Sequence, residues 1–209
     1  MNKPLSNSTN TREKILDAAE SLFIELGFAA TSLRAIASKA GVNLAATNYH
    51  FGSKNGLLAA TIHRRVAPIN KHRLELLQAL VETGHPTTRS ILTAFLQPVT
   101  EAFATGLGPA LIGRVFSEPE SLIRPIIEQE FGEAALSFQH ALAGTLPGVS
   151  GEDLSWRFHF MVGSMVHLLK FQTPLGIDSN PSSFIRGMEQ LINYSEAGLE
   201  QITDRQAND

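Results

Sequence analysis

The chain contains no cysteine among its 209 residues. Disulfide bridges, thiolate nucleophiles and thiolate metal ligands are therefore excluded, and the composition fits a reducing compartment. No apolar run reaches the roughly 18 residues that a membrane-spanning helix requires, so we expect no membrane partner. The first ten residues also lack the cationic start and apolar centre of a signal peptide. We therefore expect a cytoplasmic protein.

Sequence patterns typical of catalysis are also absent. The chain carries no Gly-rich phosphate loop, no Gly-x-Ser-x-Gly nucleophile elbow and no His-Glu-x-x-His zinc motif. The acidic residues Glu128, Glu130 and Glu133 recur at helical turns and indicate a solvated face. We predict that the protein is not an enzyme and binds no cofactor or metal. An enzyme and a helical interaction protein nevertheless stay open as alternatives.

Charge is distributed unevenly along the chain, although the net formal charge is only −3. Through Glu75 there are ten Lys and Arg against five Asp and Glu, whereas the remainder has seven against fifteen. A basic first part suits DNA phosphates, and an acidic second part repels DNA and so helps to orient the first. The two parts are therefore expected to meet different partners.

Apolar residues recur at three- and four-residue steps through most of the chain, and strand patterns are sparse. The sequence therefore predicts an all-α fold. Asn10, three residues before Glu13, resembles a capping-box start of the first helix, and Gly27 ends it. Pro68 is expected to kink the fourth helix. The later helices are predicted over residues 33–40, 44–51, 55–82, 88–105, 109–116, 121–146, 152–171 and 181–202.

The second and third predicted helices are short and are joined by Gly41-Val42-Asn43. Glycine takes the left-handed conformation at low cost, and Asn43 offers a side-chain oxygen that caps the next helix. Two helices joined in this way are typical of a helix-turn-helix, whose second helix enters the major groove of DNA. We predict a DNA-binding domain over residues 1–55, with 1–10 disordered. Residues 56–209 are predicted to form a helical ligand-binding and dimerisation domain.

Between Ile15 and Leu58 the chain carries the segments Leu26-Gly27-Phe28, Thr31 to Ala37, Ala40-Gly41-Val42 and Tyr49 to Leu58. This compound pattern resembles the tetracycline-repressor (TetR) family. It implies a homodimeric, ligand-released repressor whose partners are a palindromic double-stranded operator and a small apolar effector. The segments Asn43–Ala46, Asn48–Lys54 and Leu154–Gly163 look like the PsrA-type subgroup, whose members respond to long-chain fatty acids or acyl thioesters.

Carried over residue by residue, the resemblance implies phosphate contacts for Tyr49, His50 and Lys54. Arg34 is a candidate for a phosphate or a guanine contact. Many family members carry an aliphatic residue and then Tyr where this chain has Thr47 and Asn48. We expect Asn48 instead to donate to a phosphate or to reach an adenine edge. The predicted DNA-binding residues are Ser32, Arg34, Asn43, Leu44, Ala45, Ala46, Thr47, Asn48, Tyr49, His50 and Lys54.

Large apolar side chains in the later helices suggest two further surfaces. Aromatic residues of the middle helices predict an apolar effector pocket. Its candidates are Phe95, Phe103, Phe116, Phe131 and Phe138. Apolar and small residues at helical spacing in the last two helices predict a four-helix dimer interface. Its candidates are Trp156, Phe160, Ser164, His167, Phe184, Met188 and Leu191. The alternative for each set is that its members belong to the core of the monomer.

Overall fold

The computed structural model describes residues 5–104, 109–171, 173–178 and 180–201. These ranges contain nine α-helices and no strand, which confirms the all-α prediction. In chain order the helices are α1 (Leu5–Leu26), α2 (Leu33–Ala40), α3 (Leu44–Phe51), α4 (Lys54–Glu82), α5 (Thr88–Ala104), α6 (Pro109–Val115), α7 (Glu120–Thr145), α8 (Gly151–Phe171) and α9 (Pro181–Glu200). Among them, none combines the length and apolar character that crossing a bilayer needs.

The first helix begins earlier than the sequence suggested. It already includes Leu5 to Asn10, so Asn10 lies inside α1 and the predicted capping-box start is wrong. The disorder expected for residues 1–10 stays a prediction, and residues 1–4 lie outside the described ranges. This segment contains neither glycine nor proline after Pro4, so nothing in it interrupts a helix.

The chain divides into two compact units, which do not follow the boundary expected after residue 55. Unit 1 comprises Met1–Ala67 and Ala110–Glu130, and unit 2 comprises Pro68–Pro109 and Phe131–Asp209. The first half of α4 thus belongs with α1 to α3, and α6 and the start of α7 belong there as well.

In unit 1, α1 packs against α2 and α3. An ion-pair cluster ties α1 to α4: Arg64 reaches Asp17 at 2.7 Å and Glu20 at 2.6 Å, and Arg65 reaches Glu20 at 2.8 Å. Glu20 is buried, so the two arginines supply the charge that its carboxylate needs away from water. The buried apolar residues include Ile15, Leu16, Ala19, Phe23, Ile36, Ala37, Leu57, Leu58 and Ile62.

In unit 2, α9 packs against both α5 and α8. The ring of Phe95 on α5 meets Phe138 of α7 at 5.0 Å and Phe158 of α8 at 5.2 Å, in both cases edge to face. Such pairs contribute about 0.5–1.5 kcal/mol beyond the area they bury. The other buried residues of this unit include Leu92, Leu96, Leu142, Met161, Met165, Phe184 and Met188.

Candidate nucleic-acid interface

The turn between α2 and α3 is fixed by caps on both helices. Ser32 accepts a hydrogen bond from the Ala35 N–H at 3.1 Å, and Asn43 accepts one from the Ala46 N–H at 2.7 Å. Gly41 closes α2 in the left-handed conformation, at φ 67°. The Val42 N–H then bonds back to the Ala37 carbonyl at 3.0 Å. Asn43 is thus confirmed as the cap of α3, and Ser32 caps α2.

One face of α3 is open to solvent. Leu44, Ala45, Asn48 and Tyr49 are exposed, and they recur at the spacing that places residues on one side of a helix. Tyr49 keeps 85% of its surface accessible. On α2, Arg34 is also exposed, and its guanidinium has no intramolecular partner among the described residues. This face of α3 thus combines the small Ala45 with the polar side chains of Asn48 and Tyr49.

Thr47 lies on the opposite face of α3, which corrects its prediction as a DNA contact. The side chain is fully buried in unit 1. Its hydroxyl oxygen has no hydrogen-bond partner within the part of the chain that the structure describes. A helix turns by about 100° per residue, so an unbroken run of residues cannot all face the same side.

His50 and Lys54 are held by contacts inside the chain. The His50 ring lies 5.3 Å from the ring of Tyr49, and His50 is half-buried. The Lys54 ammonium lies 4.2 Å from the centre of the Phe28 ring and donates to the Ala29 carbonyl at 3.3 Å. An ammonium carries three N–H donors, so this arrangement leaves donors for a phosphate. Phosphate binding by both residues stays a prediction.

The start of α4 is packed closely against the end of α3. Ser53 caps α4 by accepting from the Gly56 N–H at 3.0 Å. A Cβ atom at Gly56 would lie 2.3 Å from the Phe51 carbonyl oxygen, which no side chain tolerates. Only glycine therefore permits this junction. The Ser53-Lys54-Asn55-Gly56 segment thus fixes the direction in which α4 leaves the end of α3.

The loop between α1 and α2 is held by Glu118 and Arg114, two residues that lie far from it in sequence. Glu118 accepts a hydrogen bond from the Phe28 N–H at 3.0 Å. Arg114, at the end of α6, donates to the Leu26 carbonyl at 3.4 Å. Within the loop, the Thr31 hydroxyl donates to the Gly27 carbonyl at 2.7 Å. No local sequence signal marks the first two contacts, because they join residues about 90 positions apart.

The five phenylalanines predicted to line an effector pocket do not form one group. Phe95 and Phe138 are buried together in unit 2, where Phe158 joins them, a residue that was not predicted. Phe103 instead stacks on Phe184, with ring centres 3.7 Å apart. Phe116 and Phe131 are half-buried; Phe116 belongs to unit 1 and Phe131 to unit 2.

The residues predicted for the dimer interface fall into two classes. On α8, Trp156, Phe160 and His167 are exposed and Ser164 is half-buried, so this face is open in the single chain. On α9, the three predicted residues are buried inside unit 2, because α9 packs with this face against α5 and α8. They are Phe184, Met188 and Leu191. The exposed apolar residues of α9 are instead Ile185 and Tyr194, which the periodicity did not single out.

Together these features define a helix-turn-helix protein with a helical second unit, and comparison with known proteins identifies its family. Residues 15–61 match the family model described as bacterial regulatory proteins, tetR family. Residues 93–198 match the model described as the tetracyclin repressor-like C-terminal domain. The chain therefore belongs to the TetR family of transcriptional regulators, which confirms the resemblance drawn from the sequence. Members of this family are DNA-binding regulators and not enzymes.

Two curated relatives are transcriptional regulators. The HTH-type transcriptional repressor BepR of Brucella suis biovar 1 (strain 1330) is 32% identical over 105 residues, which are 50% of this chain and 48% of that protein. The probable HTH-type transcriptional regulator YttP of Bacillus subtilis (strain 168) is 45% identical over 49 residues, or 23% of this chain and 24% of that protein. The chain thus spans about half or less of the length of these relatives.

Solved structures share the fold along most of the chain. NalD of Pseudomonas aeruginosa, the secondary repressor of the MexAB-OprM multidrug efflux pump, superposes with a TM-score of 0.68 at 22% identity, covering 92% of this chain and 97% of NalD. AmtR of Mycobacterium smegmatis superposes with a TM-score of 0.62 at 23% identity, covering 92% and 87%. At this level of identity the similarity establishes a common fold.

Proposed function

We propose that the protein is a repressor that binds a palindromic operator as a homodimer and releases it when a small apolar effector binds in unit 2. The observation that carries operator binding is the open face of α3, where Asn48 and Tyr49 project beside the exposed Ala45. BepR is named a transcriptional repressor and NalD a secondary repressor of an efflux pump, which supports repression as the direction of regulation.

The exposed polar residues have different roles in this proposal. Tyr49 donates its hydroxyl to a phosphate, which positions the protein without reading sequence. Asn48 offers an amide that donates to a phosphate or pairs with an adenine edge, and Arg34 meets a phosphate or a guanine. His50 and Lys54 add phosphate contacts at the end of α3 and the start of α4.

Selection of tight-binding duplexes from a randomised pool, followed by fluorescence anisotropy, tests the DNA-binding part. Asn48→Ala should change base preference at one position of each half-site by about 1–3 kcal/mol. Tyr49→Phe should weaken binding to all sequences alike, and Lys71→Ala in unit 2 serves as an exposed control that leaves binding unchanged. An identical consensus for wild type and Asn48→Ala would assign Asn48 to the DNA backbone. Failure to enrich any duplex would overturn operator binding.

The open face of α8 supports the dimer. Trp156 and Phe160 are 55% and 61% exposed, and Tyr194 of α9 is 72% exposed. Apolar residues grouped on a surface mark interaction sites, and a two-fold dimer pairs such a face with its own copy. A dimer would hold two copies of α3 about 34–36 Å apart, or a multiple of it, to engage a symmetric operator.

Sedimentation of charge variants tests the dimer. Phe160→Glu should give a folded monomer that has lost operator binding, because a carboxylate on each copy would be buried without a partner. Val81→Glu, at an exposed apolar position near the end of α4, is the matched control and should stay dimeric. A monomeric wild type at micromolar concentration would refute this part of the proposal.

The aromatic cluster of Phe95, Phe138 and Phe158 supports an apolar effector. The PsrA-type resemblance implies that this effector is a long-chain fatty acid or its thioester. Release requires that the effector prefer the conformation that does not fit the operator. To lower the operator-competent fraction of the protein from 99% to 1%, the effector must bind the released conformation about 10⁴-fold more tightly, which corresponds to about 5.5 kcal/mol. At about 0.8 kcal/mol per methylene, about seven methylenes contacted only in the released form would suffice.

Titration of acids and acyl thioesters of increasing chain length against the protein–operator complex tests this part. Release should strengthen with length until the apolar site is full. No release at any length, or release that does not depend on length, would exclude a fatty-acyl effector. Operator binding by the unliganded protein would be untouched by that result.

A further inference from the structure

Arg73 is a charged side chain in the core of unit 2. It lies on α4 and retains only 1% of its surface accessible. Its Nε donates to the Phe95 carbonyl at 2.7 Å, and one terminal nitrogen donates to the Asn70 side-chain oxygen at 3.0 Å. The other terminal nitrogen lies 3.7 Å from the Met165 sulfur, a weak acceptor. The guanidinium carbon lies 4.0 Å from the centre of the Phe95 ring.

The contacts of Arg73 lack a negative charge. Within the described ranges, its hydrogen bonds go to one backbone carbonyl, one amide and one thioether, and no carboxylate lies at ion-pair distance. The half-buried arginines of the same helix are different, because Arg64 and Arg65 both meet the carboxylate of Glu20. Buried charges in proteins are ordinarily paired or bound to an ion, since leaving water without a partner is costly.

Arg73 nevertheless remains a cation at neutral pH. Burial lowers the pKa of Arg73 to about 9, which is still about two units above neutrality. A guanidinium has five N–H donors arranged to meet the two oxygens of a carboxylate or a phosphate. Its three contacts here leave donors in place, and the weak sulfur contact is easily exchanged for an anionic oxygen.

The groups around Arg73 are apolar and aromatic. Phe95 touches the guanidinium, and Phe138 and Phe158 pack edge to face against Phe95. A ligand whose anionic group replaced the sulfur contact would therefore place its remaining atoms among these rings. That combination suits an amphiphile, with one charged end and one apolar end, and it does not suit a neutral hydrocarbon or a polar sugar.

We infer that Arg73 anchors the anionic head group of an amphiphilic effector, a carboxylate or a phosphate, whose apolar tail packs against the Phe95–Phe138–Phe158 cluster. This inference rests on the proposed function and specifies the ligand class of its effector. Because Arg73 is closed off from water in this structure, the ligand reaches it only when α4 and the helices packed on it separate. The ligand therefore binds a conformation other than the one described here.

Calorimetric titration with three probes that share a ten-carbon chain tests the inference, each used below its micelle concentration. The probes are decanoate, decyl phosphate and methyl decanoate, which differ only at the head group. Wild-type protein should bind at least one anion about tenfold or more tightly than the neutral ester. Whichever anion binds more tightly identifies the head group as a carboxylate or a phosphate.

Arg73→Met should abolish this preference and bind all three probes with about equal affinity. Methionine fills a similar volume, and apolar replacements of buried charges often preserve or raise stability, so the variant should fold. Thermal melting checks folding. If Arg73→Met does not fold, Arg73→Lys takes its place. Lysine keeps the positive charge but lacks the paired N–H donors of a guanidinium, so this variant should retain a reduced preference for the anionic probes. Arg89→Met is the matched control, because Arg89 pairs with Glu196 on the surface of the same unit, and it should keep the wild-type preference.

Four outcomes would contradict the inference. Equal binding of acid, phosphate and ester to wild type would overturn it while leaving an apolar effector intact. A preference that persists in Arg73→Met, or that disappears equally in Arg89→Met, would overturn the assignment to Arg73. Binding of none of the probes would overturn both this inference and a fatty-acyl effector of that length, with operator binding unaffected.

Discussion

Replacing Thr47 with valine should stabilise the protein without changing operator binding. The Thr47 side chain is fully buried, and its hydroxyl has no partner among the described residues. A buried hydroxyl without a hydrogen bond costs about 1–3 kcal/mol. Valine has the same shape and about the same helix propensity, so the free energy of unfolding should rise by about 1–2 kcal/mol.

Urea unfolding followed by circular dichroism, with operator affinity measured by anisotropy, tests this prediction. Thr47→Val should raise the unfolding midpoint and leave affinity unchanged. Thr47→Ser keeps the hydroxyl but removes a methyl group, and should lower stability by about 1 kcal/mol. Asn48→Ala provides the opposite pattern, with altered binding and stability within about 0.5 kcal/mol of wild type. A lower midpoint or weaker operator binding for Thr47→Val would show that the hydroxyl has a partner in the functional protein.

Two further pairs of substitutions test the packing of the helices, all measured by urea unfolding. Glu20→Gln removes the carboxylate charge that faces two arginines of α4, and should cost about 2 kcal/mol. The exposed Asp17→Asn should cost about 0.5 kcal/mol or less, and equal costs would refute the ranking. Gly56→Ala places a Cβ atom 2.3 Å from a carbonyl oxygen and should destabilise strongly. Gly132→Ala meets nothing within 4 Å and should stabilise by about 0.5–1 kcal/mol, so similar midpoints would contradict the steric argument.

The helix order could be predicted because its signals are local. Gly41 and Asn43 mark the end of α2 and the start of α3 through their own backbone and side-chain preferences, and the structure shows both acting as caps. Pro181 likewise stands at the first position of α9, where its missing N–H costs nothing. Asn10 failed as a signal because a capping residue only permits a start, and the preceding residues continued the helix.

Whether a given side chain is buried or exposed was harder to predict, because this depends on which other helices pack against its own helix. Periodicity shows that one side of α9 is apolar, but only the packing of α5 and α8 shows that Met188 is core while Tyr194 is exposed. Thr47 was assigned to DNA on sequence position alone, and its neighbours in space reversed that. Nothing in the sequence indicated that Arg73 is buried, since an arginine in an amphipathic helix ordinarily belongs to the solvated face.

The compact unit that contains the helix-turn-helix extends beyond the family model that matches it. That model ends at residue 61, yet unit 1 also contains Ala110–Glu130, which lies inside the region matched by the C-terminal model. Glu118 and Arg114 from this segment bond the backbone of the loop that leads into the Ser32 cap of α2. A fragment cut after residue 61 would leave the Phe28 N–H without that acceptor. Within unit 1, Arg114 of α6 and the nearby Glu118 therefore help to fix the loop that leads into α2.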